Sequence, residues 1–541
     1  MRKKLMFLMV MVMGFLPLLE LYSCRKDSPE PEPAAEEWLS VDQGSEWTSA
    51  VRNAYYTEDQ GVRSIPYSWF TSLKDVDGAF FTRNNLERYG FLPIAGRDLP
   101  VGFALGRDTA NILSSGLTCS GCHTRQIEVD DKKYRIDGGP AFINYEAYSK
   151  DLESALTATV NNPVELEAFL DRVIAVSIAN GDPNITDRDA LRNKVIRYQQ
   201  NLSLFNHLSM PIDDIWGLGR LDALNQIFNR VCGIDISPIH DSMIVSNIAP
   251  ADKPVRFPFL WNVKFQDYTQ WGATTVNGNS NQALLRNNSE CLGVGAQFRP
   301  VPNSSMPDGF DYLAVNTLDF DGLQALESYL NKLAPPQWPW PVNNTLVAQG
   351  AILYENNCAS CHGITPGESR PPSTSTWATP NQNVGTDNWY FYTLTRTANP
   401  GVLSPLFPAV GPIEVITKTI SQNILQQQFP SISFISATNS PGFGKYESRV
   451  LEGIWAAAPY LHNGSVPTLD DLLKPASERP TTFKIGVKFD KNKIGLASDQ
   501  PMKAGYQFNT TIVGNSNAGH EYGTQLSAQE RIALLEYMKT L

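Results

Sequence analysis

Two copies of one short motif carry the most specific chemistry in the sequence. Cys119-Ser120-Gly121-Cys122-His123 and Cys358-Ala359-Ser360-Cys361-His362 each contain two nearby thiols and a histidine directly after the second thiol. Both thiols of such a motif can add across the vinyl groups of a haem, while the histidine ligates the iron from the proximal side. A zinc site would need a further cysteine or histidine pair at ribbon spacing, and neither motif is followed by one. We therefore expect two covalently bound haem c groups.

The ligand on the distal side of each iron decides whether a haem carries electrons or binds a small molecule. The candidates that remain are His207, His240, His462, His520, Met210, Met243, Met306 and Met502. His520 lies in a loop of small residues, Asn515 to Gly523, just before the C-terminal helix. Loop glycines let a backbone approach a flat macrocycle closely. The residues alone leave the choice of ligand open.

The N-terminus carries the pattern of an export signal. Three basic residues and a short apolar run fill positions 2–19, too few for a membrane span. The run ends at Leu21-Tyr22-Ser23-Cys24, which resembles a bacterial lipobox, where the cysteine is acylated. We expect a signal peptide over 1–23, then a lipidated Cys24 and a Pro-rich tether over 24–44. An ordinary cleaved signal peptide or an uncleaved anchor is the alternative.

This export signal predicts a periplasmic or outer-membrane-anchored lipoprotein, whose contact with the membrane is the lipid alone. In an oxidising compartment Cys232 and Cys291 could form a disulfide, or they could stay free.

Composition narrows the class of protein. The 541 residues are 18% charged and 42% hydrophobic, which excludes a disordered chain and a protein with many membrane spans. The formal charge of −11 and the lack of a basic run argue against a nucleic-acid partner. With 38 Gly and 37 Pro, the chain should be rich in loops and have short helices.

Apolar spacing predicts helices at several places near the motifs. Tyr148–Leu156 and Val164–Ala179 read as helices, and Leu346–Asn357 reads as a helix that leads directly into Cys358. Ser527 and Glu530 form a capping box that predicts a terminal amphipathic helix.

The first and last helices of a cytochrome c module cross, so 345–541 reads as a C-terminal cytochrome c domain. Asp319–Leu333 reads as a helix, and Gln337-Trp338-Pro339-Trp340-Pro341 marks the boundary before that domain. Residues 45–335 are then an N-terminal haem domain with insertions.

Four patches resemble the bacterial di-haem cytochrome c peroxidase superfamily, and most closely its rubber-oxygenase-like branch. They are Tyr446–Leu472, Asn517–Glu521, Trp216–Asp222 and Leu260–Asn262. The resemblance implies a mainly α fold of two cytochrome c-like domains with long loops, and with the haems facing the domain interface.

The resemblance also implies a role for each haem. The haem on His123 would have an open distal side and be the reactive one, whereas His362 and His520 would both ligate the C-terminal haem. An aromatic residue between the haems would assist electron exchange. Trp261 is the candidate for it, and an ordinary buried tryptophan is the plainer interpretation. His462 would be a supporting or packing residue.

The function implied is an exported di-haem c-type cytochrome oxidoreductase of the peroxidase type. Peroxide would react at the His123 iron with help from a distal carboxylate, and an unidentified redox protein would exchange electrons through the other haem. Glu290, in the stretch Asn287–Cys291 that reads as a loop, is a candidate for that carboxylate, although most such glutamates are solvated.

Two alternatives remain. A rubber-oxygenase-like haem dioxygenase would bind oxygen against an apolar distal wall, which Phe257-Pro258-Phe259 could supply. A non-catalytic electron carrier would have both irons six-coordinate, with His207 or His240 closing the first one.

Overall fold

The architecture comes from a computed structural model that describes residues 38–183, 187–273, 275–363, 376–407, 409–435, 442–501 and 506–541. The predicted signal peptide, Cys24 and Met502 lie outside the described residues. Packing joins residues 38–541 into one compact unit. The predicted division into domains at 335–345 stays a prediction.

The α-helices of the described residues are short to medium in length, as the Gly and Pro content predicts. They are α1 Ser49–Thr57, α2 Tyr67–Ser72, α3 Arg83–Leu86, α4 Cys119–Cys122, α5 Tyr145–Asn161, α6 Pro163–Ala179, α7 Arg188–Ser209, α8 Ala223–Arg230, α9 Ser280–Val294, α10 Phe320–Leu330, α11 Asn344–Asn357, α12 Ala359–His362, α13 Ile413–Gln428, α14 Leu469–Leu472 and α15 Ala528–Met538. Within the described ranges, no helix combines the length and the apolar character that crossing a membrane requires.

The strands are mostly two to seven residues long. They are β1 Trp38–Ser40, β2 Ile65–Pro66, β3 Phe103–Arg107, β4 Leu113–Leu117, β5 Thr124–Val129, β6 Lys132–Asp137, β7 Arg220–Leu221, β8 Val255–Arg256, β9 Tyr268–Thr269, β10 Thr275–Val276, β11 Phe298–Pro302, β12 Phe310–Asn316, β13 Asn381–Gln382, β14 Thr397–Ala398, β15 Gly411–Pro412, β16 Tyr446–Glu447, β17 Thr482–Ile485, β18 Phe489–Asp490, β19 Gly495–Leu496 and β20 Tyr506–Asn509. Two sheets have three strands, in the orders β1-β6-β5 and β2-β4-β3, and the others described are two-stranded.

The predicted fold class is wrong. About 40% of the described residues are helical and about 16% are in strands, spread over many small sheets, so a mainly α fold of two cytochrome c-like domains is not what the chain forms. The physical reason is the length of the strands. A strand of two or three residues is stabilised by its partner and by surrounding packing, and it is too short to show an alternating pattern in the sequence.

The helices predicted from apolar spacing are confirmed as α5, α6, α10 and α11, with small differences at their ends. The capping box at the start of α15 is also confirmed, since Ser527 and Glu530 each bond the other's backbone. The interpretation of 287–291 as a loop is wrong, because this stretch lies inside α9.

Helices α11 and α15 pack closely, which fixes the C-terminal motif relative to the end of the chain. A Cβ atom on Gly350 would lie 2.0 Å from the backbone oxygen of Ala533, so only glycine fits at this contact. Nearby, the rings of Tyr354 and Tyr537 have centroids 5.2 Å apart. The motif that follows α11 therefore sits on a rigid support.

Candidate haem sites

The first motif forms a single helical turn between two sheets. Strand β4 ends at Leu117, helix α4 spans the two cysteines, and β5 begins at Thr124, directly after His123. Gly102 packs directly against this turn, because a Cβ there would lie 2.1 Å from the Cα of Gly121. The backbone N–H of Thr118 also donates to the Gly102 oxygen, at 2.8 Å.

The imidazole of His123 is oriented by one hydrogen bond. Its Nδ1 lies 2.9 Å from the backbone oxygen of Pro258, an acceptor, so Nδ1 carries the proton. Burial lowers the pKa of His123 to about 4, which keeps the ring neutral at neutral pH. A neutral ring with a protonated Nδ1 has its lone pair on Nε2, and this is the state that a metal ligand requires.

The cavity at His123 is mainly apolar and has a polar cluster in its wall. It encloses about 1140 Å³, open mouth included. Gln270 Nε2 donates to Glu290 Oε1, and both residues line the cavity. Burial raises the pKa of Glu290. Among the described lining residues, His123 is the sole histidine and no methionine is present.

The second motif has a different support but the same anchoring of its histidine. Helix α11 ends at Asn357, and Cys358 leads into the short helix α12. His362 Nδ1 lies 2.7 Å from the backbone oxygen of Arg449, and burial lowers the pKa of His362. Its cavity encloses about 1320 Å³, open mouth included. In both motifs, a hydrogen bond to a backbone carbonyl of a distant segment therefore fixes the histidine ring.

His520 faces His362 across the second cavity. The centroids of the two rings are 6.1 Å apart, and their planes make an angle of 49°. Metal–imidazole bonds of about 2 Å on each side, plus about 1 Å from each nitrogen to its ring centre, give roughly 6 Å for two axial histidines. The spacing therefore fits one metal ion between the two rings.

The loop that carries His520 is held by close packing and by a buried arginine. His520 has φ 50°, and a Cβ on the preceding Gly519 would lie 2.3 Å from the carbonyl carbon of Gly385. Arg479 donates to the backbone oxygens of Asn517, Gly519 and His520, at 2.6, 2.8 and 3.2 Å. Burial and the nearby His362 lower the pKa of His520 to about 4.

The donor groups at both sites fit covalently attached haem. All four motif cysteines have free thiols, so each pair is available for two thioether bonds. Each pair lies beside a neutral histidine at a mainly apolar cavity. Cys232 and Cys291 are also free, which decides against a disulfide between them in this structure.

One wall separates the two cavities and belongs to both. The residues that line both cavities are Arg256, Phe259, Trp271 and Arg449. Trp261, the predicted aromatic between the haems, is fully buried but lines neither cavity. Its ring stacks on Phe259 at 4.8 Å, and its Nε1 donates to the backbone oxygen of Glu452.

Of the other candidate histidines, two are exposed and one lines the second cavity. His207 and His240 are exposed, and His240 contacts Asp241 at 3.0 Å. His462 lines the second cavity, with its Nε2 3.0 Å from the hydroxyl of Tyr446, on whose ring it stacks. The supporting role that the resemblance implies for His462 stays a prediction.

Several residues of these sites could not be identified from the sequence. Pro258, Arg449 and Arg479 act through hydrogen bonds between distant parts of the chain, and Trp271 is one of 11 tryptophans. A weak signal existed for Arg449 alone, because it lies in the stretch 446–472 that carries the resemblance.

Comparisons with known proteins give a family match over a short segment and longer alignments with two relatives. Residues 444–484 match the family model described as "RoxA-like, cytochrome c-like". The uncharacterized protein y4iJ of Sinorhizobium fredii (strain NBRC 101917 / NGR234) is 28% identical over 611 aligned positions, covering 99% of this chain and 98% of the relative. The uncharacterized protein y4iM of the same strain is 29% identical over 279 positions, covering 50% of this chain and 57% of that protein.

The family match includes the Arg449 carbonyl that anchors His362 and the stacked pair of Tyr446 and His462. It supports the narrower of the two resemblances, to a RoxA-like cytochrome. The wider di-haem cytochrome c peroxidase superfamily stays a prediction. Residues 444–484 are thus similar to a RoxA-like cytochrome c, a class in which haem is bound covalently.

Proposed function

We propose that the protein is a di-haem c-type cytochrome oxidoreductase of the peroxidase type, exported and anchored through a lipid on Cys24. One observation carries the proposal, the difference between the two cavities. His362 faces a second histidine at the spacing of two axial ligands, whereas His123 shares its cavity with the carboxyl group of the half-buried Glu290. An unidentified redox protein would be the electron partner.

The groups in the wall of the cavity at His123 support this proposal. When bound, haem would supply a one-electron redox centre at both sites and, beside His123, an open iron position for peroxide or oxygen. Glu290 is half-buried, and desolvation raises the pKa of its carboxyl group, so this group keeps its proton to a higher pH than an exposed glutamate does. Gln270 holds it in place through a hydrogen bond.

Arg286 adds positive charge to the same wall. It forms an ion pair with Glu327, and its Nε donates to Asn287, while its buried Nη1 has no hydrogen-bond partner. A donor that is already oriented stabilises negative charge that develops on a reacting oxygen. Glu290 would therefore move the proton, and Arg286 would stabilise the anion.

The test compares Glu290→Gln with Glu46→Gln, an exposed control, in the protein with both haems attached. We expect Glu290→Gln to lower the rate of peroxide reduction by about 100-fold or more, the usual contribution of a general acid or base. The haem content and the visible spectrum of the resting protein should not change. Glu46→Gln should match the wild type. Equal rates for Glu290→Gln and the wild type would contradict the proposal.

A haem dioxygenase of the rubber-oxygenase type is the second candidate, and the apolar part of the same cavity favours it. Phe257, Val263 and Leu326 form part of this wall, next to His123. Oxygen bound there would meet few proton donors away from Glu290. If the wild type consumed oxygen with an apolar alkene and did not turn over peroxide, this function would replace the first.

A further inference from the structure

Besides Arg479, whose donors bind backbone oxygens in and near the His520 loop, four arginine side chains are buried without a salt bridge to a carboxylate among the described residues. Their exposed fractions are 0% for Arg125, 0% for Arg220, 5% for Arg256 and 8% for Arg449. Arg125, Arg220 and Arg256 donate to backbone carbonyls, and Arg220 also donates to the amide oxygen of Asn515. A buried cation is costly unless it is paired, so each of these groups needs a physical reason.

Arg256 and Arg449 differ from the other two in their position. Both line the cavity at His123 and the cavity at His362, whereas Arg125 and Arg220 line neither. Both residues therefore border the space that a bound group would fill.

The guanidinium group of Arg449 has fewer hydrogen-bond partners than that of Arg256. Its guanidinium carbon lies 4.4 Å from the ring centre of Trp271 and 5.7 Å from that of Phe259. Among the described residues, no hydrogen-bond acceptor contacts its guanidinium group. Ring contacts alone do not use the five N–H donors of an arginine.

Arg256 is held but not neutralised. Its Nε donates to the Leu461 oxygen at 2.8 Å, and its Nη1 donates to the Ala457 oxygen at 3.1 Å. Its guanidinium carbon lies 4.8 Å from the ring centre of Trp271, so Trp271 contacts both cations. The carboxyl group of Glu447, which lines the cavity at His362, interacts electrostatically with Arg449 but forms no salt bridge with it. Two positive groups next to each other in a buried wall therefore call for further negative charge nearby.

Each arginine belongs to the segment that anchors one proximal histidine. The carbonyl of Arg449 accepts from His362, and Arg256 lies two positions before Pro258, whose carbonyl accepts from His123. Any charge that these guanidinium groups bind is therefore held close to both irons.

We propose that Arg256 and Arg449 bind the carboxylate side chains of the two covalently attached haems. The ligand chemistry is a carboxylate pair at the edge of a porphyrin, which matches the planar, two-pronged donor face of a guanidinium group. This inference rests on the proposed function, because it needs a haem in both cavities. This binding has an electrostatic consequence, because the two cations would stabilise the reduced irons and keep the haem carboxylates ionised.

The test measures the midpoint potentials of both haems at pH 8 in the wild type, Arg449→Gln, Arg449→Lys, Arg256→Gln and the exposed control Arg97→Gln. Removing a nearby positive charge favours the ferric state, so the potential must fall. We expect Arg449→Gln to change the reduction equilibrium of at least one haem about tenfold, or about 59 mV for one electron. Arg256→Gln should act in the same direction, Arg449→Lys should keep most of the potential, and Arg97→Gln should match the wild type.

A pH titration of the visible spectra gives a second readout. Loss of Arg449 should raise the pH midpoint of the haem carboxylate transition by about one unit, because its ionised form loses a partner. If Arg449→Gln does not fold, Arg256→Gln measured against the wild type and Arg97→Gln makes the same comparison.

Three outcomes would overturn the inference, and they can be told apart. Two haems per chain with unchanged potentials and pH midpoints in Arg449→Gln and Arg256→Gln would reject it and leave the proposed function intact. Fewer than two haems per chain would reject both. If added acetate shifted the wild-type spectrum but not that of Arg449→Gln, the arginine would bind a soluble anion instead.

Discussion

The histidines of the two motifs are held by the same kind of hydrogen bond in different surroundings. His123 follows a turn between two strands, and His362 follows a helix, yet each donates from Nδ1 to a backbone carbonyl. A carbonyl partner fixes the ring without adding charge. The difference between the two sites therefore arises on the distal side, where His520 faces His362 and the described wall offers His123 no equivalent.

The predicted distal role of His520 can be tested by spectroscopy. If a haem is bound between His362 and His520, as proposed, His520→Ala should convert that ferric haem from a low-spin to a high-spin or water-ligated state, because the ring 6.1 Å from His362 is lost. Electron paramagnetic resonance of the oxidised protein measures this change.

The matched control is His207→Ala, since His207 is exposed and lines neither cavity. Its spectrum should be that of the wild type. Unchanged low-spin signals in His520→Ala would remove His520 as a ligand and turn attention to His462.

The role of a residue can be predicted from the sequence to the extent that its chemistry depends on its neighbours in the chain. The spacing of Cys119, Cys122 and His123 indicates haem attachment within five positions. His520 could not be chosen on spacing alone, and the resemblance singled it out. Arg449 and Trp271 gain their roles only through contacts across the fold, so no local pattern marks them.

At the scale of elements, long periodic segments were predictable and short ones were not. Helices α5 and α6 have 17 residues each, long enough for their apolar spacing to show. Strands of two residues, such as β8 and β16, depend on partners from elsewhere in the chain. The polar residues around Glu290 indicate a loop, but two of them, Asn287 and Asn288, are buried inside α9.

The end of α8 contains a buried acid that should make stability depend on pH. The π-helical turn Val231–Asp235 follows α8 and buries Asp235, whose Oδ2 has no hydrogen-bond partner. Arg230 is 3.7 Å away, too far for a hydrogen bond, so burial outweighs its attraction and raises the pKa of Asp235 to about 8. The unfolded chain ionises this group near its ordinary pKa of 3.8.

Asp235→Asn should therefore gain stability relative to the wild type as pH rises. Below the unfolded pKa both states keep the proton, and from about pH 4 to about pH 8 the wild type loses free energy of unfolding because only its unfolded state ionises. At about 1.4 kcal/mol per pKa unit, the gain between pH 4.5 and pH 8 should be roughly 2–5 kcal/mol.

Urea denaturation at both pH values measures the gain, with the exposed Asp213→Asn as control. The control should follow the wild type at both pH values. A constant difference between Asp235→Asn and the wild type across this range would show that Asp235 is already ionised in the folded protein.

On the scale of the whole molecule, the two cavities lie on either side of one shared wall of side chains. Phe259 and Trp271 line both cavities, and Trp261 lies behind Phe259. If haems bind in both cavities, as proposed, Phe259 and Trp271 would lie between them, and we expect electrons to pass through one of these two rings. Trp261 can contribute only through its stacking on Phe259.

A pair of tryptophan variants tests this route. Trp271→Phe should slow electron exchange between the haems about tenfold, a change of about 1.4 kcal/mol in the barrier, because it shortens the aromatic side chain that both cavities share. Trp261→Phe should have a smaller effect, since that ring reaches neither cavity. Rapid mixing of the half-reduced protein with peroxide, followed at the spectrum of each haem, measures the exchange. The resting spectra must stay unchanged, because Trp271→Phe also removes a hydrogen bond to the Arg256 oxygen. A larger effect at Trp261 than at Trp271 would restore the role that the resemblance implies for Trp261 and would mean that electrons cross through the stacked pair with Phe259.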